Sequence, residues 1–473
     1  MEDFSVDDTP LSADAAHSAG TSNNTSKGAP EGTRPSFVAL LPLLFFLALF
    51  IGTGTALTLR GTAMAFYQLS AAVAVLPALV LSVLLGMGRN KTSLEGQLAI
   101  FVRGVGDSNI ITMCLIYLLA GAFASVATSI GGVTSTVNLG LALVPPAFVL
   151  PGLFLIGAFV STAMGTSMGT IAAIAPIAVG VGEQTSVGLP LLMGAVVGGA
   201  MFGDNLSMIS DTTIAATRTQ GCQLKDKFRV NLYIALPAAL VAVLVFAILG
   251  ADGTITEAGD YRILLALPYL VILGMALAGV NVFAVLATGI LFTGVVGLAV
   301  VPDYAILQFS RDIFQGFQKM QEIMVLSMFI GGLGELIRTQ GGIAWILERI
   351  DAITARSRGE NRRRTGELSI AGLVSAADIC TANNTVAIIL SGGLAEEIAC
   401  KNRVDPRRSA SILDIFSCVF QGIMPYAAQV LLAGSVAGIS PVVVAGNNYY
   451  CFILALAGIA AIASGRPRLS GSA

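Results

Sequence analysis

Two carboxylates lie within a segment that is otherwise apolar enough to cross a lipid bilayer. Asp204 and Asp211 fall between residues 189–202, which carry no charge, and the apolar residues 214–216. A carboxylate at the centre of a membrane helix costs roughly 2.5–3.5 kcal/mol on insertion scales, so acids at this depth are generally functional. The pattern predicts a transmembrane helix that is unwound over residues 203–210 around a cation or proton site. The candidate oxygen ligands beside the two acids are Asn205, Ser207, Ser210, Thr212 and Thr213.

Two further apolar segments, about 147–182 and 367–398, are interrupted near their centres by small polar residues. Such interruptions are typical of hairpins that enter and leave the membrane on one side. Non-helical backbone at membrane depth is tolerated only where it is buried in protein or lines a water-filled cavity. The polar tip residues either line a site or only cap the half-helices. The candidates are Thr166 and Ser167 in the first hairpin and, as substrate or ion ligands, Asp378, Thr381, Asn383, Asn384 and Thr385 in the second.

Asp414 is a further acid within an apolar run, and its role has two interpretations. It either joins the site or forms an ion pair with Arg407 or Arg408, two helical turns away. Among all these acids, Asp211 is the leading candidate for the coupling residue, because three hydroxyl residues bracket it in the sequence.

Composition places the chain among polytopic all-α membrane proteins. Of its residues 55% are hydrophobic and 11% are charged, and the mean hydropathy is +0.82, whereas soluble domains average about 25% charged residues. The single histidine, His17, lies in the N-terminal tail, and the six cysteines show no CxxC spacing. We therefore expect no histidine-based catalysis, no cofactor and no structural metal, and any proton chemistry has to use carboxylates.

Ten apolar runs are long enough to span a bilayer. With both termini in the cytoplasm, the basic segments 89–103, 218–229, 349–364 and 401–408 fall inside and the acidic segment 252–260 falls outside. Residues 1–36 then form a disordered tail, 37–463 the membrane domain and 464–473 a C-terminal tail. The runs cover about 37–59, 65–87, 108–130, 189–216, 229–249, 262–280, 281–300, 321–337, 409–437 and 441–463.

A weak internal repeat relates the two halves. Residues 161–170 resemble 375–385 with one inserted residue, and at the same offset of 215 the segment 203–211 falls on 418–426. Paired interrupted segments in halves of opposite orientation indicate an inverted-repeat transporter. We therefore expect two repeats, about 37–250 and 262–463, each with a re-entrant hairpin and a broken transmembrane helix.

These residues resemble the NhaC-type sodium/proton antiporter family of the ion transporter superfamily. Residues 203–213 are close to the family signature Gly-Asp-Lys-x-Ser-Pro-x-Ser-Asp-Thr-Thr, with Asn205 in place of lysine and Met208 in place of proline. The segments 164–170 and 412–414 also match, and the resemblance covers roughly 37–463. It implies a scaffold and a moving transport region in the inner cell membrane. The site residues that it implies are Asp204, Ser207, Ser210, Asp211, Thr212 and Thr213, with Thr166, Ser167 and Asp414 beside them.

The leading hypothesis is a secondary active antiporter in which a sodium ion and a proton compete for one or two membrane carboxylates. The alternative within transport is a sodium-coupled carrier or exchanger of a small organic acid or amino acid. An intramembrane aspartyl protease needs a second partner motif, and a receptor or scaffold protein has no use for several membrane carboxylates. Sodium ions and protons are the expected substrates, with lipid as a partner and no nucleic acid. The oligomeric state is open between a monomer and a homodimer.

Overall fold

The computed structural model describes residues 34–60, 68–251, 253–254, 260–355 and 362–467. Its regular structure in these ranges is helical, with twenty α-helices and short 3-10 turns at Phe37–Leu40 and Pro146–Phe148. Most of the tail predicted over 1–36, most of the acidic segment 252–260 and the last six residues lie outside the described residues.

The described part of the first half contains ten helices. They are α1 Leu41–Leu59, α2 Ala71–Asn90, α3 Leu94–Val105, α4 Ser108–Ser129, α5 Gly132–Leu143, α6 Val149–Met164, α7 Ser167–Gln184, α8 Leu189–Leu206, α9 Asp211–Thr219 and α10 Leu224–Leu249.

The second half also contains ten helices within the described ranges. They are α11 Ile263–Leu277, α12 Val282–Val300, α13 Ile306–Thr339, α14 Gly342–Ala355, α15 Arg362–Thr381, α16 Asn384–Asn402, α17 Pro406–Ile423, α18 Ala428–Ala437, α19 Pro441–Gly446 and α20 Tyr449–Ser464.

Eight helical segments of the described chain are long and apolar enough to cross a membrane, which confirms a polytopic all-α membrane protein. The predicted runs 262–280 and 441–463 instead contain helices of 15 and 16 residues, α11 and α20, shorter than the roughly 17–25 residues that usually span a bilayer. The run predicted at 321–337 is part of a 34-residue helix, α13. Its polar first half was missed because Arg311, Asp312 and Lys319 lower the local hydropathy.

The basic segments treated as loops are partly helical. Segment 89–103 contains most of α3, and segment 349–364 contains the end of α14 and the start of α15. Lys227, within the basic segment 218–229, is fully buried in α10. The charge pattern predicts that Lys227 lies in a loop at the membrane surface, but its ammonium group pairs with Asp414 inside the protein.

Close helix crossings at glycine hold two pairs of helices together. A Cβ atom on Gly121 of α4 would lie 2.4 Å from the carbonyl oxygen of Gly316 in α13, and one on Gly203 of α8 would lie 2.3 Å from the Cβ of Ser161 in α6. Small residues permit such approach in membrane helices. The second crossing fixes α8 against the first interrupted segment one residue before Asp204.

Both predicted hairpin interruptions are helix breaks with matching caps. Between α6 and α7, Gly165 has a φ of +71° and the Thr166 side chain accepts a hydrogen bond from Gly169 N at 3.5 Å. Between α15 and α16, Ala382 has a φ of +50° and the Asn383 side chain accepts from Val386 N at 3.0 Å. The tip residues Thr166 and Asn383 thus cap backbone amides, one of the two roles expected for them.

Two longer helices are also broken, α8 from α9 between Leu206 and Asp211, and α17 from α18 between Ile423 and Ala428. The unwound part is narrower than the predicted 203–210, since residues 203–206 remain helical. The residues that flank the second of these breaks have numbers 217 higher than those that flank the first, and we call this difference the repeat offset. The residues that flank the two hairpin breaks differ by the same offset. The helix ends thus relate both pairs of breaks by 217 residues, whereas the sequence pattern predicts an offset of 215.

Candidate functional site

Asp204 lies at the last turn of α8 and is buried. Ser167 Oγ donates a hydrogen bond to Asp204 Oδ2 at 3.2 Å, and Thr212 Oγ1 donates to Asp204 Oδ1 at 3.4 Å. Both distances exceed the usual range of about 2.5–3.0 Å for O–H···O bonds. The carboxylate is therefore loosely held by hydroxyl groups, and it forms no ion pair with a cationic side chain in the described structure.

The other polar residues of the break hold its backbone. Ser210 Oγ donates to the carbonyl oxygen of Asp204 at 3.2 Å and caps Thr213 N, while Thr213 Oγ1 donates to the carbonyl oxygen of Ser207 at 2.8 Å. Ser207 Oγ accepts from Ile209 N at 3.3 Å. These side chains stabilise the unwound segment, and Thr212 is the hydroxyl residue of the break that contacts the Asp204 carboxylate.

Lys227 of α10 supplies a positive charge beside the break. Its Nζ lies 2.8 Å from Asp414 Oδ2 in an ion pair whose two side chains have no exposed surface. The same Nζ donates to the carbonyl oxygen of Asn205 at 2.9 Å and to Thr213 Oγ1 at 2.6 Å. Asn231, one turn along α10, donates both to Asp414 Oδ2 at 2.7 Å and to the carbonyl oxygen of Asn205 at 2.8 Å.

The alternative pairing of Asp414 with a nearby arginine is wrong. Arg407 pairs with Asp405 at 2.7 Å, and Arg408 pairs with Glu367 at 2.8 Å in a buried contact. Both arginines lie in the first turn of α17, so their guanidinium groups reach residues at that end of the helix and leave Asp414 to Lys227. Outside the membrane segments, the hydrogen bond from Arg407 holds the pKa of Asp405 below its usual value.

Asp211 is the first residue of α9, and its side chain is exposed. The bracketing hydroxyls that favoured it in the sequence contact Asp204 or the backbone in the structure. The geometry therefore makes Asp204 a stronger candidate than Asp211 for the coupling residue, although both carboxylates line one cavity.

This cavity, of about 90 Å³, is where the two interrupted segments and the first broken helix meet. The predicted site residues that do not line it are Asn205, Ser207, Ser210, Thr213, Asp378, Thr381 and Asp414. Of these, Ser207, Ser210 and Thr213 bond the backbone of the break. The Asn205 side chain instead donates to the hydroxyl of Tyr450 at 3.3 Å. The polar lining of the cavity is formed by Asn109, Thr112, Thr166, Ser167, Asp204, Asp211, Thr212, Asn383, Asn384, Thr385, Gln421 and Gln429.

A chain of amides connects the cavity wall to the second half of the protein. Gln429 Nε2 donates to Ser167 Oγ at 3.1 Å, and Gln421 Nε2 donates to Gln429 Oε1 at 2.8 Å and to the carbonyl oxygen of Ala382 at 3.1 Å. The link from Asp204 through Ser167 thus reaches the second hairpin tip. The two glutamines follow Asp204 and Thr212 at the repeat offset, so they are the counterparts of that pair in the second break.

The second hairpin contributes polar atoms with differing environments. Thr381 Oγ1 donates to the carbonyl oxygen of Ala377 at 2.9 Å, and Asn384 Oδ1 accepts from Thr385 N at 3.0 Å while its Nδ2 has no partner in the described structure. Asp378, predicted with this group, lies on α15 away from the cavity lining. Its side chain is fully buried, and neither carboxylate oxygen has a hydrogen-bond donor within the described residues.

A second cavity, of about 220 Å³, adjoins the first through Asn109 and Asn383. Glu335 in its wall pairs with Arg338 at 2.6 Å and with Arg103 at 2.9 Å. Thr381 also lines this cavity.

Sequence reasoning missed Lys227, Asn231, Gln421, Gln429 and Asn109. The first two had a detectable signal, because they lie four positions apart, on one face of a helix whose remaining membrane portion is apolar. The glutamines became recognisable only when the helix ends supplied the repeat offset.

Comparison with known proteins gives a family match and several curated relatives. Residues 21–251 match the Na+/H+ antiporter family. The chain is 31% identical over 210 residues to the malate-2H+/Na+-lactate antiporter of Bacillus subtilis, an alignment that covers 44% of each chain. It is 24% identical to the Na+/H+ antiporter NhaC of Bacillus subtilis, over 71% of this chain and 79% of the relative. Identity to the NhaC of Alkalihalophilus pseudofirmus is 25%, over 68% and 76%. The match to the first of these relatives thus spans less than half of its length.

Proposed function

We propose that this chain, which matches the Na+/H+ antiporter family over residues 21–251, exchanges sodium ions for protons through competition of the two cations for Asp204. The observation that carries this proposal is the contrast between two buried acids. Asp414 is neutralised by Lys227 at 2.8 Å, whereas Asp204 has only two long hydroxyl contacts. Asp204 is thus the buried carboxylate at the cavity that lacks a cationic partner of its own in the described structure.

The atoms around Asp204 suit a hard monovalent cation. Its carboxylate and the hydroxyl oxygens of Ser167 and Thr212 converge on the cavity wall. Oxygen donors of this type are preferred by hard cations, and cavity water can complete the coordination. A proton on the same carboxylate removes the charge that attracts sodium, so one site holds either cation but not both.

Lys227 sets the charge that the site has to balance. Asp204 and Asp414 repel each other electrostatically, and Thr212 interacts with both. With Lys227 paired to Asp414, the three groups carry a net charge of −1, which one sodium ion or one proton neutralises. The lysine thereby makes the pair of acids equivalent to a single exchangeable site. Because its Nζ also holds the Asn205 carbonyl, it keeps that site at the helix break.

The same proposal includes an inverted-repeat architecture with repeats about 37–250 and 262–463 and both termini in the cytoplasm. It is supported by four helix breaks that are related in pairs by the one repeat offset. A matched contact supports it further. Asn231 Nδ2 donates to the Asn205 carbonyl at 2.8 Å, and Asn448 Nδ2, its counterpart at the repeat offset, donates to the Gly422 carbonyl at 2.9 Å. Cysteines placed at 361 and 255 should be labelled from opposite sides of the membrane, and labelling of both from one side would reject the inversion.

Purified protein in proteoliposomes tests the exchange directly. A sodium gradient should drive proton movement without any organic solute. At pH values low enough for protons to occupy most of the sites, the apparent KM for sodium should rise about tenfold for each further unit by which the pH is lowered, and the maximal rate should stay constant. Non-competitive inhibition by protons would contradict the shared site. Asp204→Asn should abolish sodium-dependent proton flux, with Asp312→Asn, a buried acid remote from the cavity, as the matched control.

Exchange of an organic acid is the second candidate function. The malate-2H+/Na+-lactate antiporter is among the relatives, and Arg103 and Arg338 line the larger cavity beside the second hairpin. Guanidinium groups bind carboxylates well, although Glu335 already pairs with both arginines here. Sodium-driven proton flux that requires added malate or lactate, and is lost in Arg103→Gln, would favour this candidate over simple antiport.

A further inference from the structure

Asp378 is a buried acid that the exchange at Asp204 does not use. It lies in the last turn of α15 before the break at Ala382, has no exposed surface, and neither carboxylate oxygen accepts a hydrogen bond within the described structure. By contrast, Asp312, another buried acid, accepts hydrogen bonds from Tyr304 and Gln308, both at 2.8 Å. A buried carboxyl without a donor or cation is far more stable as the neutral acid than as the anion.

The charged groups on the helices around α15 are engaged elsewhere. Glu335 and Arg338 of α13 pair with each other. The groups that interact electrostatically with Asp378 are Cys380 on its own helix and Tyr426 in the second helix break. Tyr426 Oη donates to the carbonyl oxygen of Ile379 at 2.8 Å rather than to the acid. Glu367 of α15 itself forms a buried pair with Arg408 of α17, and Asp414 of α17 pairs with Lys227. The other groups on neighbouring helices are the exposed Glu348 and Arg349 on α14, the exposed Glu396 and Glu397 on α16, and Tyr450 on α20 beside Asn205.

The first half shows what this position requires. Ser161 is the counterpart of Asp378 at the repeat offset, and it donates its hydroxyl proton to the carbonyl oxygen of Ala200 at 2.6 Å. The equivalent position on α6 is thus occupied by a hydrogen-bond donor that faces a neighbouring helix. A carboxyl group can be a donor only when it is protonated.

We propose that Asp378 is a second proton-carrying site, loaded and unloaded from the larger cavity, so that the protein moves two protons for each sodium ion. This inference rests on the proposed sodium/proton exchange and extends its stoichiometry. One proton competes with sodium at Asp204, and the other travels on Asp378 without a competing cation.

The route for this second proton is short. Thr381 lines the larger cavity and follows Asp378 by three positions, which places both on one face of α15. Gly334 of α13 packs against this turn, with a Cβ on Gly334 expected 3.2 Å from the Cys380 carbonyl oxygen. In the structure the acid is closed off from water, and a shift of the hairpin tip by one helical turn relative to α13 would bring it to the cavity. The proton is then released or taken up there as the carboxyl is wetted.

Two protons per sodium ion make transport electrogenic, which a null-point measurement detects. In proteoliposomes with the membrane potential clamped at zero, a tenfold sodium gradient is balanced by a pH difference of about one unit at one proton per sodium and about half a unit at two. We expect the wild type to balance at about half a unit and to respond to an imposed potential. Asp378→Asn should retain sodium-dependent proton flux, balance at about one unit and lose the response to potential.

Asp378→Ser provides a second variant that reproduces Ser161 of the first half, and Asp312→Asn is the matched control that keeps the wild-type balance. A wild type that balances at about one unit, or an Asp378→Asn protein that still balances at about half a unit, overturns the second proton site. Absence of sodium-dependent proton flux in the wild type would instead reject the proposed antiport itself, so the two failures are distinguishable.

Discussion

The break between α8 and α9 and the break between α17 and α18 have matching architecture and different charge. In each, an asparagine of a later helix holds the carbonyl group in the last turn before the break, Asn231 in the first half and Asn448 in the second. A polar pair then closes each break: Thr212 contacts Asp204 at 3.4 Å, and Gln421 contacts Gln429 at 2.8 Å. Two amides in the second half therefore occupy the positions of a carboxylate and a hydroxyl in the first.

This difference explains why one of the two breaks is suited to bind a cation. An amide pair carries no charge, so it can link the two halves through hydrogen bonds without attracting sodium. Two fully buried aspartates of the second half, Asp414 and Asp378, lie away from the break between α17 and α18, at the positions of Val197 and Ser161 in the first half. A repeated fold can thus provide two helix breaks while a few substitutions confine the exchangeable charge to one of them.

The largest expected effect comes from making the first break resemble the second. Asp204→Gln removes the charge and the proton site while keeping a polar side chain, so sodium-dependent proton flux in proteoliposomes should fall to background. Gln429→Thr, which gives the second break the residue type of Thr212, should leave flux detectable, because it does not alter the carboxylate. Retention of normal flux in Asp204→Gln would show that the exchangeable charge lies elsewhere.

The second expected effect concerns the buried ion pair. Lys227→Met leaves Asp414 buried without its cation, and breaking one partner of a buried pair typically costs about 3–5 kcal/mol of stability. Lys227→Met combined with Asp414→Leu removes both charges and should recover most of the thermal stability in detergent. The natural control is position 444, the counterpart of Lys227, where an apolar valine is fully buried. A double variant as unstable as Lys227→Met would contradict the pairing as the cause.

The third effect compares the matched asparagines. Asn231→Ala removes hydrogen bonds to both the Asn205 carbonyl and Asp414, whereas Asn448→Ala removes the bond to the Gly422 carbonyl and the cap on Cys451 N, both between neutral groups. A hydrogen bond to a charged group contributes about 1.5–3 kcal/mol and a neutral one about 1 kcal/mol. Asn231→Ala should therefore lower the melting temperature more and also change the sodium KM, while Asn448→Ala should change stability alone. Equal effects on sodium KM would indicate that both breaks contribute to the site.

Much of the fold followed from the pattern of apolar runs, and the parts that did not had identifiable physical causes. The broken segment around Asp204 and both hairpin interruptions were predicted because polar residues at membrane depth stand out against apolar neighbours. The long polar start of α13 was missed because Asp312 has partners within the protein that hydropathy does not register. The sequence match predicts an offset of 215 between the halves, whereas the ends of the broken helices are related by 217, because helix ends depend on backbone conformation as well as on residue identity.

The sequence predicted which residues form the candidate site better than it predicted what each of them does there. Asp204, Ser167 and Thr212 were expected together, and they do contact each other. Lys227 was counted as a loop cation because local sequence cannot show that a lysine reaches an acid in the other half of the chain. The preference for Asp211 over Asp204 relied on sequence neighbours, but in a broken helix side chains that are close in sequence point in different directions.

The smallest expected effect is therefore at Asp211. Its side chain is exposed at the start of α9, and exposed charges typically contribute no more than about 1 kcal/mol to an interaction, or about a fivefold change in KM. Asp211→Asn should keep sodium-dependent proton flux and raise the sodium KM within that range, because a negative charge at the cavity wall still helps to attract the ion. The measurement is the same proteoliposome assay with Asp204→Asn in parallel. If Asp211→Asn falls to background while Asp204→Asn remains active, the preference based on neighbouring hydroxyls is correct, and the buried carboxylate serves to hold the break.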